Sequence, residues 1–366
     1  MTETELNELI CKSYPAFAEA SEKAEARQVK LAKPPKSLGK LEDISERLAG
    51  ITGRVKNRIE YCRVLVFAAD NGVVEEGVAV TPKSVTLSQA INMTAHKTGM
   101  SALAEYFNDS VCVTDVGIDS DIRFSGIVDR KVRKGTGNIR KGPAMSREEA
   151  LNAMHAGIES VRAARDDGID AVGIGEMGIG NTTTSAAVLA VLTGKDPEEV
   201  TGRGSGLTDE AFELKKRVIS DAILLNAPDA NDVIDVISKV GGLDIAAMTG
   251  AYLGCAYYRI PAAVDGFISI VAALCAVRLS PAVRDFLFLT HVSSEKGYSV
   301  AADELKLSPC LLLDMRLGEG SGCPVGFQIM KAACAVMNGM ATFDEARIDD
   351  GYLDSIRSVD AFSESD

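Results

Sequence analysis

The chain lacks several features that mark large classes of proteins. It contains no Trp, and aromatic residues make up only 5% of its 366 positions, which argues against stacking surfaces for single-stranded nucleic acid. It also has no run of basic residues. With 39 Lys and Arg against 52 Asp and Glu, its net charge of −13 predicts no binding to nucleic acid or to an anionic membrane.

Signals for metal sites, disulfides and membrane spans are equally sparse. The three histidines are His96, His155 and His291, too far apart for metal-ligand spacing, so we expect no zinc site. None of the eight cysteines forms a CxxC pair, which predicts reduced thiols in a cytoplasmic protein. The longest apolar stretch, residues 260–279, is interrupted by Asp265 and therefore predicts a buried strand and helix.

Short apolar runs alternate with helical patterns from residue 62 onward. The predicted strands are 62–70, 110–117, 169–176, 261–268 and 286–292. The predicted helices between and around them are 84–106, 146–166, 182–193, 208–225, 243–258 and 269–278. This alternation indicates the α/β class, with a doubly wound, Rossmann-like parallel sheet whose polar strand ends collect at one ligand-binding edge.

Both ends of the chain are predicted to be mainly helical. Helical patterns cover residues 3–24, 41–51 and 323–340. Because the first 60 residues are too few and too helical to fold alone, we expect a small helical domain built from residues 1–60 plus 296–366. Residues 61–295 would form the large α/β catalytic domain.

The strongest local motif is GIGEMGIGNTTT at residues 173–184, where a strand enters a glycine-rich turn and a helix. Such a turn either is purely structural or presents backbone N–H groups to an anion. The motif also fits G-x-G-x-x-G, with Glu198 about twenty residues on, but residues 194–206 predict a loop where a dinucleotide site needs a second strand.

Three further glycine loops, at residues 134–138, 202–206 and 318–322, suggest that several backbone segments converge on one polar ligand. Lys215 lies about two turns into the helix after the second loop and is either a solvated lysine or a phosphate contact. Glu319 in the third loop is either a helix cap or a carboxylate held in a cleft as a general base.

Taken together, these segments resemble one family, the nicotinate-nucleotide–dimethylbenzimidazole phosphoribosyltransferases (CobT family). The similar segments follow the family's order and are KPPKSLGKLE (33–42), FAADNGVVEEGVAVTP (67–82), GEMGIGNTTTSAA (175–187), GRGSGLTDE (202–210), GGLDIAAMTGA (241–251), VDGFI (264–268), RLGEGSG (316–322) and MATFDEA (340–346). The resemblance implies a Rossmann-like domain, a small helical domain and a homodimer with its active site near the interface.

The resemblance also implies the reaction, which needs no redox cofactor and no catalytic metal. Ribose 5-phosphate would pass from nicotinate mononucleotide to 5,6-dimethylbenzimidazole or a related lower-ligand base, with inversion at C1′. The products would be nicotinate and α-ribazole 5′-phosphate, for assembly of the nucleotide loop of cobamides (vitamin B12). Glu319 matches the family's catalytic glutamate and would accept the proton that the incoming base releases.

Further roles follow from the same resemblance. The residues expected in the base pocket are Thr81, Gln89 and Leu317. The residues expected around the nucleotide and its phosphate are Glu176, Gly178, Gly180, Asn181, Thr182, Gly204, Lys215, Gly266 and Ser293. The chain departs from the family at Asn71, where histidine is common, and at Thr81, where serine is frequent. The preferred base therefore stays open among benzimidazoles, purines and phenols.

Two alternatives have different sequence signatures. An NAD-dependent oxidoreductase would use GIGEMG as its dinucleotide loop. A partner-dependent or non-catalytic nucleotide-binding subunit of the same fold would be expected to have lost a reactive residue. The presence of both Glu176 and Glu319 argues against that second alternative.

Overall fold

The computed structural model describes residues 1–204 and 206–354. The described residues form six β-strands, all in one sheet. The strands are β1 Cys62–Ala69, β2 Ser110–Gly117, β3 Ile127–Asp129, β4 Ala171–Met177, β5 Ala262–Val264 and β6 Leu287–Leu289.

Fifteen α-helices surround this sheet within the same described residues. The helices in the first half of the chain are α1 Glu3–Cys11, α2 Ala18–Lys30, α3 Lys40–Thr52, α4 Val85–Thr94, α5 Gly99–Tyr106, α6 Arg147–Asp166 and α7 Asn181–Thr193. Those in the second half are α8 Pro197–Val200, α9 Asp209–Asn226, α10 Val233–Val240, α11 Leu243–Tyr258, α12 Phe267–Leu279, α13 Gly297–Leu305, α14 Gly322–Gly339 and α15 Phe343–Ala346.

The sheet confirms the predicted doubly wound α/β architecture. Its strand order is β3-β2-β1-β4-β5-β6, and every neighbouring pair is parallel. Helices α6, α11 and α12 pack along one face, whereas α4, α5 and α14 pack along the other. The order of the sheet reverses between β1 and β4, and ligands bind in the crevice outside the strand ends at such a reversal in open α/β sheets.

Central strands are apolar because both of their faces are covered. All seven residues of β4 are buried, and so are seven of the eight residues of β1. The strands of a parallel sheet that is covered by helices on both faces have continuous apolar sequences, which explains why these two strands were predictable from sequence.

Several elements differ from the sequence predictions. The helix predicted over residues 3–24 is two helices, α1 and α2, and the segment between them contains Pro15, which has no backbone N–H to donate. The helix predicted over 84–106 is also split, because Thr98 caps a new helix by accepting the Ser101 N–H. Strand β3 and helices α8, α10 and α13 were not predicted.

The two ends of the chain are in contact. Helix α3 packs against both α2 and α14, and Leu31 pairs with Thr342 in an isolated antiparallel bridge. Helix α13 packs instead against α7, α8 and α12. The division of the chain at residues 60 and 296 stays a prediction, and the last part of the predicted small domain, residues 355–366, lies outside the described residues.

Candidate active site

A cavity of about 270 Å³ opens at the carboxyl edge of the sheet, close to the reversal between β1 and β4. All thirteen residues that the sequence analysis assigned to catalysis or binding line this one cavity. They are Thr81, Gln89, Glu176, Gly178, Gly180, Asn181, Thr182, Gly204, Lys215, Gly266, Ser293, Leu317 and Glu319. The structure therefore brings together segments that lie as much as 238 positions apart in the sequence, from Thr81 to Glu319.

The glycine-rich turn after β4 supplies one wall of the cavity. Gly180 has a φ of +91°, which L-residues rarely adopt, and a Cβ there would lie 2.7 Å from the Val74 Cγ2 atom. Helix α7 begins at the next residue, Asn181, and no side chain caps its first turn. Of the first three N–H groups of α7, those of Asn181 and Thr183 donate to the Gly178 and Gly180 carbonyl oxygens, which leaves the Thr182 N–H for an anion in the cavity.

Lys215 lies at the same end of the cavity. Its Nζ donates to the Thr182 Oγ1 at 2.9 Å and to the Gly202 carbonyl oxygen at 3.0 Å. A Cβ on Gly204 would lie 3.3 Å from the Thr182 Oγ1 and 3.7 Å from this Nζ, so the backbone at Gly204 lies close to both side chains. Burial lowers the pKa of Lys215 to about 8, and the charge of Glu295 acts in the opposite direction.

Glu319 lies on the loop before α14 and is buried. Its Oε1 accepts from the Gln89 Nε2 at 3.4 Å, and its Oε2 accepts from the Met100 N–H at 3.4 Å, in the first turn of α5. Burial raises the pKa of Glu319, although the Met100 N–H works against that rise. A desolvated carboxylate with long, weak hydrogen bonds is a stronger proton acceptor than a solvated one.

Glu176, at the end of β4, lies directly beside the Glu319 loop. Its Oε1 accepts the Glu319 N–H at 3.1 Å, and its Oε2 accepts from the Asn181 Nδ2 at 2.6 Å. Asn181 also donates to Asp244 at 3.1 Å, so two carboxylates fix the orientation of this amide. Burial raises the pKa of Glu176 to about 8, and the hydrogen bond from Asn181 acts against that rise.

These contacts form a continuous row across the cavity. The Glu319 backbone contacts Glu176, Glu176 contacts Asn181, and the neighbouring Thr182 contacts Lys215. A carboxylate pair therefore occupies one end, and a buried ammonium with an uncapped helix N-terminus occupies the other. Such a site can hold an anionic group at one end and accept a proton at the other.

Asn71 and Thr81, the two positions at which the chain departs from the family it resembles, have different locations. Thr81 lines the cavity, as expected for a residue of the base pocket. Asn71 is fully buried behind the glycine-rich turn, where a Cβ on Gly178 would lie 3.1 Å from its Nδ2. Of these two positions, Thr81 lines the cavity and Asn71 lies one layer behind it.

Five polar residues near the cavity were not assigned from the sequence. Arg203, His291, Glu295 and Arg316 line it, and Asp265 lies behind its wall. Asp265 and His291 were detectable as polar residues that directly follow or interrupt apolar runs. Arg316 and Glu295 gave no comparable signal, since both belong to loops without a periodic pattern.

The dinucleotide interpretation receives no support. Glu198 lies in the short helix α8, and its side chain is 68% exposed and 3.7 Å from the Lys216 Nζ. Among the described residues, no strand occurs between the end of α7 and the start of α9. The acidic residue is therefore not at a strand end, where it would have to meet a ribose.

Within residues 1–204 and 206–354, no group of three or more His, Cys, Asp or Glu side chains is arranged to hold a metal ion. None of the helices in this part of the chain is sufficiently long and apolar to span a membrane.

Comparison with known proteins decides the family. A family model described as phosphoribosyltransferase (DBI_PRT) matches residues 14–348. A nicotinate-nucleotide–dimethylbenzimidazole phosphoribosyltransferase of Clostridium perfringens is 51% identical over 340 residues, covering 93% of this chain and 94% of the relative. The chain belongs to this phosphoribosyltransferase family. A relative of the same name from Clostridium tetani is 47% identical over 353 residues, covering 96% of this chain and 98% of the relative.

A solved structure agrees with this assignment. The family member from Thermus thermophilus superposes with a TM-score of 0.87 at 38% sequence identity, covering 92% of this chain and 100% of that structure. The whole architecture, including the sheet that carries the cavity, is therefore shared within the family.

Proposed function

We propose that the chain transfers ribose 5-phosphate from nicotinate mononucleotide to 5,6-dimethylbenzimidazole or a related lower-ligand base. The products are nicotinate and an α-ribazole-type 5′-phosphate, used in the assembly of the nucleotide loop of cobamides. The observation that carries this proposal is the row of contacts from Glu319 through Glu176 and Asn181 to Thr182 and Lys215, because it joins a proton acceptor to an anion site within one cavity.

The phosphate of the nucleotide fits the end of the cavity at Lys215. The positive end of the α7 helix dipole and the buried ammonium both favour an anion. A bound phosphate also favours the charged form of Lys215, which burial alone disfavours. Gly178, Gly180, Thr182 and Gly204 would surround the phosphate, while Gly266 and Ser293 would line the neighbouring wall.

The base fits beside Glu319, where Gln89 also lies. The apolar side chains that line the cavity include Val78, Val85, Met177, Ile179 and Leu317. They offer a surface for a flat aromatic ring, while Thr81 and Gln89 supply the nearby polar contacts. This mixture of an apolar wall and a few polar groups is typical of small-molecule pockets.

The chemistry at C1′ then needs little acid assistance. The pyridinium ring of the nucleotide is already cationic, so it leaves as neutral-ring nicotinate when the C1′–N bond breaks. A benzimidazole nitrogen attacks C1′ from the opposite face, which converts a β-linkage into an α-linkage. The N–H on its other nitrogen becomes acidic as the new bond forms, and Glu319 accepts that proton.

Glu176 is placed to stabilise positive charge during transfer. Burial raises its pKa to about 8 in the free site, so this carboxyl group holds a proton more readily than an ordinary glutamate does. The cationic nucleotide, and the oxocarbenium character that develops at C1′, both favour ionisation of a nearby carboxyl group. Substrate binding would therefore convert Glu176 into an anion that faces the ribose.

We also propose a homodimer and a cytoplasmic location. The loop that leads to the cavity exposes an apolar surface, with Leu312, Leu313 and Leu317 exposed by 75%, 49% and 58%. A second copy of the chain that covers this surface would place the interface at the cavity mouth. The nucleotide substrate and the free cysteines, which form no disulfide among the described residues, fit a cytoplasmic enzyme.

A substrate panel tests the proposal. Purified protein is incubated with nicotinate mononucleotide and, separately, with benzimidazoles, adenine and phenols, and nicotinate release is followed by chromatography. We expect release that depends on an added base and differs among the bases. Nicotinate release without any added base would contradict a transferase. No nicotinate release from a protein that still binds the nucleotide would also contradict it and would support the non-catalytic alternative.

A further inference from the structure

We propose that Asp265 is a positioning residue that holds Glu319 in its working geometry. The inference rests on the proposed function, because it assumes that Glu319 accepts the proton of the base. Asp265 follows β5 directly and is only 2% exposed. It lies behind the cavity wall, so its effect on the reaction must pass through the residues that it contacts.

Asp265 binds the backbone on the far side of Glu319. Its Oδ2 accepts the Gly320 N–H at 3.0 Å, and its Oδ1 accepts the Gly322 N–H at 2.7 Å. On the near side, Glu176 accepts the N–H of Glu319 itself at 3.1 Å. Two buried carboxylates therefore fix three N–H groups within four residues.

The conformation of the loop explains why it needs this support. Glu319 has a φ of +63°, and its neighbours Gly318 and Gly320 have φ values of +81° and +88°. A non-glycine residue in the left-handed region persists only where the surrounding structure over-determines it. Since the loop belongs to no helix or strand, the hydrogen bonds to Asp265 and Glu176 supply that constraint.

Asp265 is itself firmly held. Its N–H donates to the Ser269 Oγ at 3.2 Å, and that hydroxyl donates to the Ile174 carbonyl oxygen at 2.8 Å. The Tyr252 hydroxyl lies 2.6 Å from the same Ser269 Oγ. The backbone of Asp265 is thus connected through Ser269 to β4, α11 and α12, which fixes the point from which its carboxylate reaches the loop.

A carboxylate suits this position better than an amide. Gly322 is the first residue of α14, so the positive end of an 18-residue helix points at Asp265. An asparagine has one acceptor oxygen, and its NH₂ group would face the second glycine N–H. Asp265→Asn therefore loosens the loop while it leaves the size of the side chain almost unchanged.

A double-mutant cycle tests this inference. In the wild-type background, Asp265→Asn should lower kcat by about 10- to 100-fold, because a misplacement of about 1 Å at a catalytic group can cost about 10²-fold, with KM for nicotinate mononucleotide changed less than about 3-fold. In the Glu319→Gln background, the same substitution should lower kcat by less than about 3-fold, because the proton acceptor that it positions is already gone.

Asp109→Asn is the matched control. Asp109 is also a buried carboxylate, but it lies just before β2, at the opposite edge of the sheet, with its Oδ1 3.2 Å from the Lys331 Nζ. We expect this control to lower thermal stability without a selective loss of kcat. Ser269→Ala provides a second test should Asp265→Asn not fold, since it removes the acceptor of the Asp265 N–H and should give the same selective loss, only smaller.

The outcomes distinguish the positioning role of Asp265 from the proposed transferase function. Equal losses from Asp265→Asn in both backgrounds, or a loss confined to KM, would overturn the positioning role. If Glu319→Gln is impaired but Asp265→Asn is fully active, the positioning role of Asp265 is also overturned. The proposed function is not affected by that result. Wild-type protein that releases no nicotinate with any base would refute the proposed function itself.

Discussion

Lys215→Ala should weaken the binding of nicotinate mononucleotide far more than it slows turnover. The Lys215 Nζ is buried and donates to the Thr182 Oγ1 at 2.9 Å and the Gly202 oxygen at 3.0 Å. An ammonium group carries three N–H donors, so a third is available to a phosphate oxygen. A hydrogen bond between charged groups contributes about 1.5–3 kcal/mol, which corresponds to about a 10- to 150-fold change in affinity.

The same residue predicts a pH dependence of binding. Because burial lowers the pKa of Lys215 to about 8, the ammonium form dominates below pH 8 and is lost as pH rises through that value. Affinity for the nucleotide should therefore fall above pH 8 in the wild type. The Lys215→Ala variant should show no corresponding step, because the titrating group is absent.

Isothermal titration calorimetry with nicotinate mononucleotide, combined with steady-state kinetics, measures both effects. Lys216→Ala is the matched control, since Lys216 is the next residue on α9 and pairs instead with the Glu213 Oε1 at 2.8 Å. An unchanged affinity in Lys215→Ala with reduced turnover would refute the phosphate role. Equal weakening by Lys216→Ala would show that general charge, and not this contact, governs binding.

Two further predictions concern catalysis and stability. Glu319→Gln should lower kcat by about 10²- to 10⁴-fold, the usual contribution of one placed base, while calorimetry shows nucleotide affinity within about 3-fold of the wild type. Lys33→Ala should lower the free energy of unfolding by about 3 kcal/mol in urea titrations, because it leaves Glu42, 2.6 Å from Lys33 and buried with it, without its counter-charge.

Each of these two predictions has its own control. Glu304→Gln removes a carboxylate that pairs with Arg278 at 2.6 Å outside the cavity lining, and it should leave kcat unchanged. Lys23→Ala breaks an exposed pair with Glu19 and should cost less than about 1 kcal/mol. Wild-type turnover in Glu319→Gln would remove Glu319 as the base. A Lys33→Ala variant as stable as Lys23→Ala would show that the buried pair contributes no more than an exposed one.

Buried strands were the part of the fold that sequence patterns located best. Strands β1, β2 and β4 are long apolar runs because helices cover both of their faces. The three-residue strand β3 escaped prediction because it lies at the sheet edge with two of its residues exposed, so it carries no continuous apolar signal. The predicted helix ends were wrong where a single capping residue starts a new helix, as Thr98 does between α4 and α5.

Part of the cavity lining was predictable from local glycine-rich motifs, whereas residues such as Thr81 and Gln89 were assigned from the resemblance to the family. What the sequence did not provide was the contact between distant segments. Asp265 was visible only as an acid interrupting an apolar stretch, and its partners Gly320 and Gly322 lie more than 50 positions away. Only the folded chain brings this carboxylate to the loop, so its positioning role could not be derived from spacing.

The stereochemistry of the product tests the central claim most directly. The protein is incubated with nicotinate mononucleotide and dimethylbenzimidazole, and the product is identified by mass and its C1′ configuration by NMR. We predict an α-linked ribose 5-phosphate on the benzimidazole, formed in equal amount to the nicotinate released. A β-linked product, or ribose 5-phosphate formed by hydrolysis alone, would contradict direct transfer between two substrates held in this cavity.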